Sequence, residues 1–443
     1  MLTDREGQAS EARSAGEGGG ASCPHAWSLG DSDACVMGGS NSVTKESTLP
    51  KTFMGAWKDV GCIAVFPAVG DLVDNVHALR KATEDIIGDN ITKFVIEVDR
   101  PQLFTIAICH YKNKFLKPEQ VHESPWILFK NEDPYDGNAL RREFYSMFFH
   151  SCLFEERLWV GVGRRLVPSN EINKTSEKQL SALGVAIVEA IVNGDCGFPY
   201  LNEALYHFII GDNEYEKYLR MEDIPDPDIL HFTQQLMAAR TDDDVTNVVS
   251  SEAGVCISGI GWPEGRPVQM KNRDDLVHHL AKWSVIEKRR TAIDQLKEGL
   301  NYKKFLDSLK TNKLLKCLLV FSGEYCVTAN YLRAMLSDSL ARLRVNNKKE
   351  GEAKNYFEIL LGEITDEDAG YLFFFMTGVL DPPLRQMDLA VTFNLNSERT
   401  LPEATACNAT LILPQGNSDY QAFKKSFITA IQFARVGFGN VSN

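Results

Sequence analysis

The segment with the clearest capacity for chemistry is LPEATACNATLILP, residues 401–414, which contains Cys407. The Leu-Pro pair at its start predicts irregular backbone, because proline fixes its own φ angle and disfavours helix at the residue before it. Thr410–Leu413 is a short apolar run closed by Pro414, which predicts a strand. Cys407 is therefore expected on a loop directly before a strand, where a thiolate can act as a nucleophile.

A helix after this strand would hold the loop from behind. Ser418 and Gln421 fit a capping box at its start, and Gly437 is a natural stop. The apolar residues between them recur at helical spacing and predict one buried stripe: Tyr420, Phe423, Phe427, Ile431 and Ala434. A lone cysteine is most often a small buried hydrophobe, so the residues alone leave an inert thiol as the alternative to a nucleophile.

A second informative segment is FKNEDPYDGNALRREFYSMFF, residues 129–149. Its first half is acidic and contains Asp136-Gly137, which predicts a turn. The second half predicts a helix with an apolar face formed by Leu140, Phe144, Met147 and Phe148. On physical grounds alone this is an acidic turn that leads into a core helix.

Two further segments show helical periodicity of apolar residues. Gln179–Val192 is apolar on most of its surface and predicts a buried helix. Residues 272–300 predict one long helix that ends at Gly299. Earlier in the chain, two β-rich runs at 92–98 and 103–109 predict a pair of strands.

Other segments are defined by their turns and polarity. Residues 343–354, LRVNNKKEGEAK, are polar and contain glycine, as a flexible linker does. The turn-rich residues 255–262 predict at most a minimal hairpin. The Gly-Val-Gly at 161–163 lacks the third glycine and the strand-turn-helix context of a nucleotide site, so we assign none there.

Length and composition limit the class of protein. The 443 residues suit two or three domains, and the net charge of −13 argues against nucleic acid as the main partner. The ten cysteines form no Cys-x-x-Cys pair, which favours free thiols in a reducing compartment over disulfides or a metal site. We find no signal peptide and no apolar run near the ~20 residues that span a bilayer, so we expect a cytoplasmic or nuclear protein without a membrane partner. Residues 1–50 are rich in Gly, Ser and Glu and predict a disordered leader.

Separate segments of the chain resemble, in order, the HECT-type ubiquitin ligases. The 129–149 segment is similar to the family's acidic, glycine-rich turn followed by Arg-Glu-Phe, here Arg142 to Phe144. The 401–414 segment resembles the family's Leu-Pro, cysteine loop and apolar strand closed by Leu-Pro. Gly437-Phe438-Gly439 resembles the family's C-terminal end. Among HECT proteins, the G2/M-phase, cell-cycle-linked subgroup is the nearest in pattern.

The resemblance implies an α+β, bilobal fold. A large, mainly helical N-lobe would span 51–342 and include a short subdomain at 221–271 that docks the ubiquitin-conjugating enzyme. Residues 343–354 would be the flexible inter-lobe linker. A small α/β C-lobe at 355–443 would carry Cys407 as the catalytic residue.

The resemblance also implies a ubiquitin transferase with no cofactor and no metal. Cys407 would accept ubiquitin as a thioester from a conjugating enzyme and pass it to a lysine of a protein substrate. The flanks depart from the family pattern, because Thr405-Ala406 and Asn408-Ala409 replace its His-Thr and Phe-Asn. The alternative is therefore a catalytically inactive, HECT-like scaffold that binds ubiquitin or client proteins. An unrelated α/β protein with an accidental motif match is the third hypothesis.

Overall fold

The computed structural model describes residues 74–81, 95–116, 125–130, 137–154, 158–170 and 178–434, except 252–255, 264, 324, 380, 383, 385, 386 and 407. The predicted leader 1–50, Cys407 itself and the Gly437-Phe438-Gly439 end therefore lie outside the described residues. Within them the fold is α+β, as predicted: helices form the cores and three small sheets lie among them.

The helices are numbered in chain order. They are α1 (74–81), α2 (Leu103–Leu116), α3 (Gly137–Phe154), α4 (Gln179–Val192), α5 (Glu203–Ile210), α6 (Pro227–Ala238), α7 (Asp242–Val249), α8 (Cys256–Gly259), α9 (Arg273–Val285), α10 (Arg290–Leu300), α11 (Phe305–Thr311), α12 (Ala329–Arg342), α13 (Lys348–Glu363), α14 (Asp366–Thr377) and α15 (Tyr420–Ala434). Short 3-10 turns lie at Arg100–Gln102, Tyr215–Tyr218, Met221–Asp223, Met270–Asn272, Glu287–Arg289, Tyr302–Lys304 and Lys313–Leu318.

The strands form three separate sheets. β1 (Val95–Val98) pairs in parallel with β2 (Trp126–Phe129). β3 (Trp159–Val162) and β4 (Arg165–Pro168) form an antiparallel hairpin. The third sheet has the order β5–β7–β6, with β5 (Ala390–Phe393) parallel to β7 (Thr410–Leu413) and β6 (Glu403–Thr405) antiparallel to it.

The first hydrophobic core is built around α4, which is buried along almost its whole length, as its apolar sequence predicts. α4 crosses α10 at two glycines, Gly184 and Gly299. A Cβ added to Gly184 would lie 2.6 Å from the backbone nitrogen of Leu300, and one added to Gly299 would clash with the Ser181 carbonyl. The two backbones therefore touch directly, which larger residues at these positions would prevent.

The strand predicted at 103–109 is wrong, because these residues begin helix α2. The buried residues of α2 include Leu103, Ala107 and Tyr111, whose spacing of four is that of one helix face. That face packs in the first core with α4. The strand predicted at 92–98 is present as β1, and its partner is β2. A short apolar run does not distinguish strand from helix until its packing partner is known.

The second core contains α12 to α15 and the third sheet. Its largest fully buried side chains are aromatic: Phe357, Phe373, Phe423 and Phe427. The strand predicted at Thr410–Leu413 is confirmed, and so is the buried stripe at Phe423, Phe427 and Ile431. The helix begins differently from the predicted capping box, since the carboxylate of Asp419 accepts from the Ala422 backbone N–H at 2.9 Å. This core holds the strand after position 407 in place.

The third core lies between Ile224 and Ala281 and contains α6, α7 and the first part of α9. The hairpin predicted at 255–262 is absent from its described residues, where Cys256–Gly259 is a helical turn. The single helix predicted over 272–300 is two helices, interrupted at Glu287–Arg289. α9 packs largely in the third core and α10 in the first. The apolar spacing continues across the break, so it gives no sign that the two helices have different packing partners.

The polar segment 343–354, expected as a flexible linker, is mostly helical. Only 343–347 is non-helical, and α13 begins at Lys348 with its cap at Asn347. The helices on both sides belong to the second core. Apart from Leu384, which packs in the first core, the change from the first core to the second falls between Tyr325 and Val327. Among the described residues, no helix has the length and apolarity needed to cross a membrane.

Candidate active site

The candidate site is the hairpin formed by β6 and β7. Thr405 pairs with Thr410, and the backbone N–H of Ala409 points to the Ala406 carbonyl at 3.4 Å. β7 is the central strand of its sheet, and its Leu411 side chain is fully buried. The hairpin tip, 406–409, is where the sequence places Cys407, so the structure fixes the residues on both sides of the candidate nucleophile.

Side-chain and backbone contacts hold this tip. The Thr405 hydroxyl donates to the Asn408 side-chain oxygen at 2.6 Å, across position 407. Ala409 has a φ of +50°, and its carbonyl accepts from the Ala390 N–H at 3.1 Å. A left-handed conformation at a residue other than glycine is unfavourable by about 1 kcal/mol, so the surrounding contacts must impose it. Asn408 is exposed, which leaves the tip open to solvent on one side.

The other side of the tip faces two elements. Gly378 ends α14 with a φ of +74°, and a Cβ added there would lie 4.0 Å from the Cβ of Ala406. Arg142 of α3 is buried and donates from Nη2 to the Ala406 carbonyl at 3.5 Å, a long hydrogen bond. A guanidinium therefore lies one residue away from Cys407. Sequence analysis gave Arg142 no role at the site, and its place in the Arg-Glu-Phe motif was the available signal.

A buried ion pair lies in the segment that follows α14. Nη1 of Arg164, at the turn between β3 and β4, donates to Oδ1 of Asp381 at 2.7 Å. The Tyr325 hydroxyl donates to the Pro382 carbonyl next to it. These contacts fix the chain after α14 against residues of the first core.

The environment of Arg164 maintains its charge. Its guanidinium lies over the rings of Tyr200 and Phe321, at 5.1 and 4.8 Å from their centroids. Burial by itself lowers the pKa of Arg164, but the charge and hydrogen bond of Asp381, together with the nearby Tyr200, outweigh it and the net effect raises the pKa. The Arg164 guanidinium therefore stays charged at neutral pH.

The described cysteines differ in burial, and therefore in how well they could act as nucleophiles. Burial raises the pKa of the Cys196 thiol well above its usual value, and the nearby Asp195 and Asp381 raise it further. Cys196 is therefore a protonated, unreactive thiol at neutral pH. Cys109, on α2, is exposed. Within the described part of the chain, no group of three or more His, Cys, Asp and Glu is placed to hold a metal ion.

The charged residues nearest to Cys407 in the sequence are Arg399 and Glu403, and they pair with each other. Arg399 and Glu403 form an ion pair at 3.7 Å, which leaves Arg142 as a cation that contacts the tip itself. The tip thus combines an exposed side, a fixed backbone and a buried positive charge. A thiolate and a tetrahedral oxyanion are the species that such a charge stabilises.

Comparison with known proteins identifies the class. A family model described as HECT-domain (ubiquitin-transferase) matches residues 144–441, more than half of the chain. The chain belongs to this family, and the resemblance predicted from its sequence is confirmed. A search of curated proteins finds no match.

Proposed function

We propose that the chain is an active ubiquitin transferase in which Cys407 is the acceptor thiol. The observation that carries this proposal is the β6–β7 hairpin, which lies within the family match and holds both flanks of Cys407. Its partners would be ubiquitin, a conjugating enzyme and protein substrates. The proposed activity is taken from the family match, and the proposed catalytic residue, Cys407, is taken from the hairpin tip.

The proposed reaction consists of two acyl transfers. The Cys407 thiolate attacks the thioester carbonyl between ubiquitin and the conjugating enzyme, and the conjugating enzyme's thiolate leaves. The ε-amine of a substrate lysine then attacks the new thioester, a C–N bond forms, and the Cys407 thiolate is expelled while the amine loses its proton to water. Neither step changes an oxidation state.

Arg142 would assist both transfers. Its guanidinium donates to the carbonyl just before Cys407, in a buried position where a charge is poorly screened. A fixed positive charge there favours the thiolate form of cysteine and the negative oxygen of each tetrahedral intermediate. The altered flanks of Cys407 need not prevent catalysis if this interaction is retained.

We assign the two lobes and the docking of the conjugating enzyme as follows. The third core, which includes most of residues 221–271, would be the docking subdomain. The lobe with Cys407 would begin with α12, because α12 belongs to the second core and Tyr325 still belongs to the first. The flexible connection would then lie before Ala329, earlier than the 343–354 linker that the sequence suggests.

A non-catalytic scaffold is the second candidate. The observation in its favour is the replacement of both flanks of Cys407 by Thr405-Ala406 and Asn408-Ala409. A scaffold would keep the three cores and the hairpin, and it would bind ubiquitin without forming a covalent bond.

A loading assay separates the two candidates. Purified protein is incubated with ubiquitin, activating enzyme and a set of conjugating enzymes, and then run on a non-reducing gel. We expect a band shifted by one ubiquitin that disappears with reductant and in Cys407→Ala, whereas Cys407→Ser traps an ester that resists reductant.

The matched control is Cys109→Ala, which removes the exposed cysteine of α2 and should retain the adduct. An adduct that persists in Cys407→Ala would show that another residue carries ubiquitin. Absence of any adduct from folded wild-type protein would favour the scaffold.

A further inference from the structure

Two adjacent arginines at the β3–β4 turn reach in different directions. Arg164 is 1% exposed and pairs with Asp381 at 2.7 Å, between α14 and β5. Arg165 is 44% exposed and pairs with Asp223 at 3.1 Å, at the start of the third core. One short hairpin of the first core therefore contacts both other parts of the molecule through ion pairs of unequal burial.

The segment held by Arg164 is docked by more than one contact. Asp381 takes the guanidinium, the Pro382 carbonyl accepts from the Tyr325 hydroxyl, and Leu384 is 2% exposed within the first core. The segment belongs by sequence to the second core, since it follows α14 and precedes β5. Through Asp381 and Leu384, the side chains of this segment reach into the first core.

The same segment adjoins the hairpin that contains position 407. Gly378, three residues before Asp381, lies against Ala406, and Arg142 of the first core contacts the Ala406 carbonyl. Docking of the segment and placement of the hairpin against α3 are therefore parts of one arrangement. Of the charged groups named in this arrangement, Arg164 is the most deeply buried.

We propose that the Arg164–Asp381 ion pair positions the Cys407 hairpin for transfer, by holding the segment after α14 and thereby the hairpin against Arg142. This inference rests on the proposed function of Cys407. Both arginines would act at the same site, Arg142 through the Ala406 carbonyl and Arg164 only through Asp381.

Removal of one partner has a defined physical consequence. A buried charge left without its counter-ion is strongly unfavourable, and the simplest relief is release of the segment into water. The hairpin then loses the guanidinium of Arg142, which both transfer steps use. Loading also requires the hairpin to reach the conjugating enzyme, and release of the segment would make that easier, which offsets part of the loss. Discharge to a lysine has no such compensation, so its rate should fall more than the rate of loading.

The structural test uses the full-length protein and hydrogen exchange measured by mass spectrometry. Arg164→Gln should raise exchange in peptides covering 378–384 and 403–411, with little change in α4 of the first core. Asp381→Asn, which leaves the more deeply buried charge of Arg164 without its counter-ion, should raise exchange in the same peptides and guards against misfolding of the first variant.

Arg165→Gln is the matched control, because it breaks the neighbouring ion pair in the same hairpin and leaves Arg164 in place. It should leave exchange at 403–411 unchanged. Unchanged exchange there in both Arg164→Gln and Asp381→Asn would overturn the proposal, as would an equal increase in Arg165→Gln.

The functional test measures loading and discharge separately in single turnovers. In Arg164→Gln we expect discharge to free lysine to slow by about tenfold, the effect of losing one charge-assisted hydrogen bond, and loading to slow less. A parallel loss in both steps would indicate a merely structural role and contradict positioning. If wild-type protein never loads ubiquitin, the proposed function fails, and the exchange experiment still decides whether the ion pair holds the hairpin.

Discussion

The β3–β4 and β6–β7 hairpins have similar backbone structures but differ in whether the turn is buried or exposed. Both are short and antiparallel, and both place a residue of chemical interest at the turn. The β3–β4 turn buries Arg164 and pairs it with Asp381, whereas the β6–β7 turn leaves Asn408 exposed beside position 407. One hairpin anchors a neighbouring segment through a buried charge, while the other would present the proposed nucleophile at an exposed tip.

The two hairpins also obtain their turns differently. β3–β4 has glycine at its positive φ angles, +128° at Gly161 and +61° at Gly163. β6–β7 uses Ala409 at +50° and the hydrogen bond between Thr405 and Asn408. Glycine adopts such angles readily, and alanine does so only under constraint. The β3–β4 hairpin, called the anchoring hairpin below, thus has an unstrained turn. The β6–β7 hairpin, called the presenting hairpin, is held in its turn conformation by its neighbours.

The largest effect is expected at the glycine of the anchoring hairpin. Gly161→Val introduces a side chain at a φ of +128°, with its Cβ 2.6 Å from the Arg165 carbonyl oxygen. We expect a loss of about 3 kcal/mol in the free energy of unfolding, measured by urea denaturation. Gly163→Asn is the control, since asparagine tolerates the left-handed region better than other side chains. Equal losses in the two variants would mean that φ at Gly161 is not the cause.

A smaller loss is expected at the presenting hairpin. Ala409→Val places a β-branched residue at a φ of +50° in a fully buried position and should destabilise by about 2 kcal/mol. Ala409→Gly should relieve the backbone strain and lose only the contacts of one methyl group, so its unfolding midpoint should stay near that of wild type. If the glycine variant were the less stable of the two, the backbone of the tip would not be strained.

The hydrogen bond across position 407 should contribute less. Thr405→Val is nearly isosteric and removes the donor to Asn408, with an expected loss of about 1 kcal/mol. The loss should appear as faster hydrogen exchange at the hairpin tip. Thr410→Val is the comparison variant, because the Thr410 hydroxyl donates only at 3.3 Å to the Asn408 carbonyl. A larger effect from Thr410→Val would show that the 2.6 Å contact is not the main restraint.

The smallest effect concerns the second ion pair of the anchoring hairpin. Burial raises the pKa of the Asp223 carboxyl, although hydrogen bonding from Asn202 and the charge of Arg165 act in the opposite direction. The folded state therefore binds this proton more tightly than the unfolded state. Its contribution to stability is fully present below the unfolded pKa and is lost as pH rises through the higher, folded value.

Asp223→Asn tests this sign. The stability of wild type relative to Asp223→Asn should fall as pH rises from about 4, near the usual carboxyl pKa, toward neutral, as measured by denaturation midpoints. Asp243→Asn, which changes an exposed carboxylate of α7, is the control. A relative stability that rises over the same range would contradict the direction of the shift.

The sequence predicted the elements that have a strong pattern of their own. The buried helix α4, the strand Thr410–Leu413 and the stripe of α15 follow from apolar spacing, whereas the family and the α+β class that it implies follow from the ordered motifs. The wrong predictions at 103–109 and 272–300 concern segments whose apolar pattern is clear but whose packing partner cannot be read from the sequence. Period alone does not show against which core an element packs.

The sequence by itself determined what kind of loop carries Cys407, because proline, β-branched runs and apolar spacing act locally. Its ordered motifs, through the family resemblance, marked Cys407 as the candidate nucleophile. Only the tertiary structure brought Arg142 to the Ala406 carbonyl and Arg164 to Asp381, across 264 and 217 residues of chain. Contacts of that separation depend on how three cores meet. Their energy comes from burial and charge pairing, which no local pattern contains.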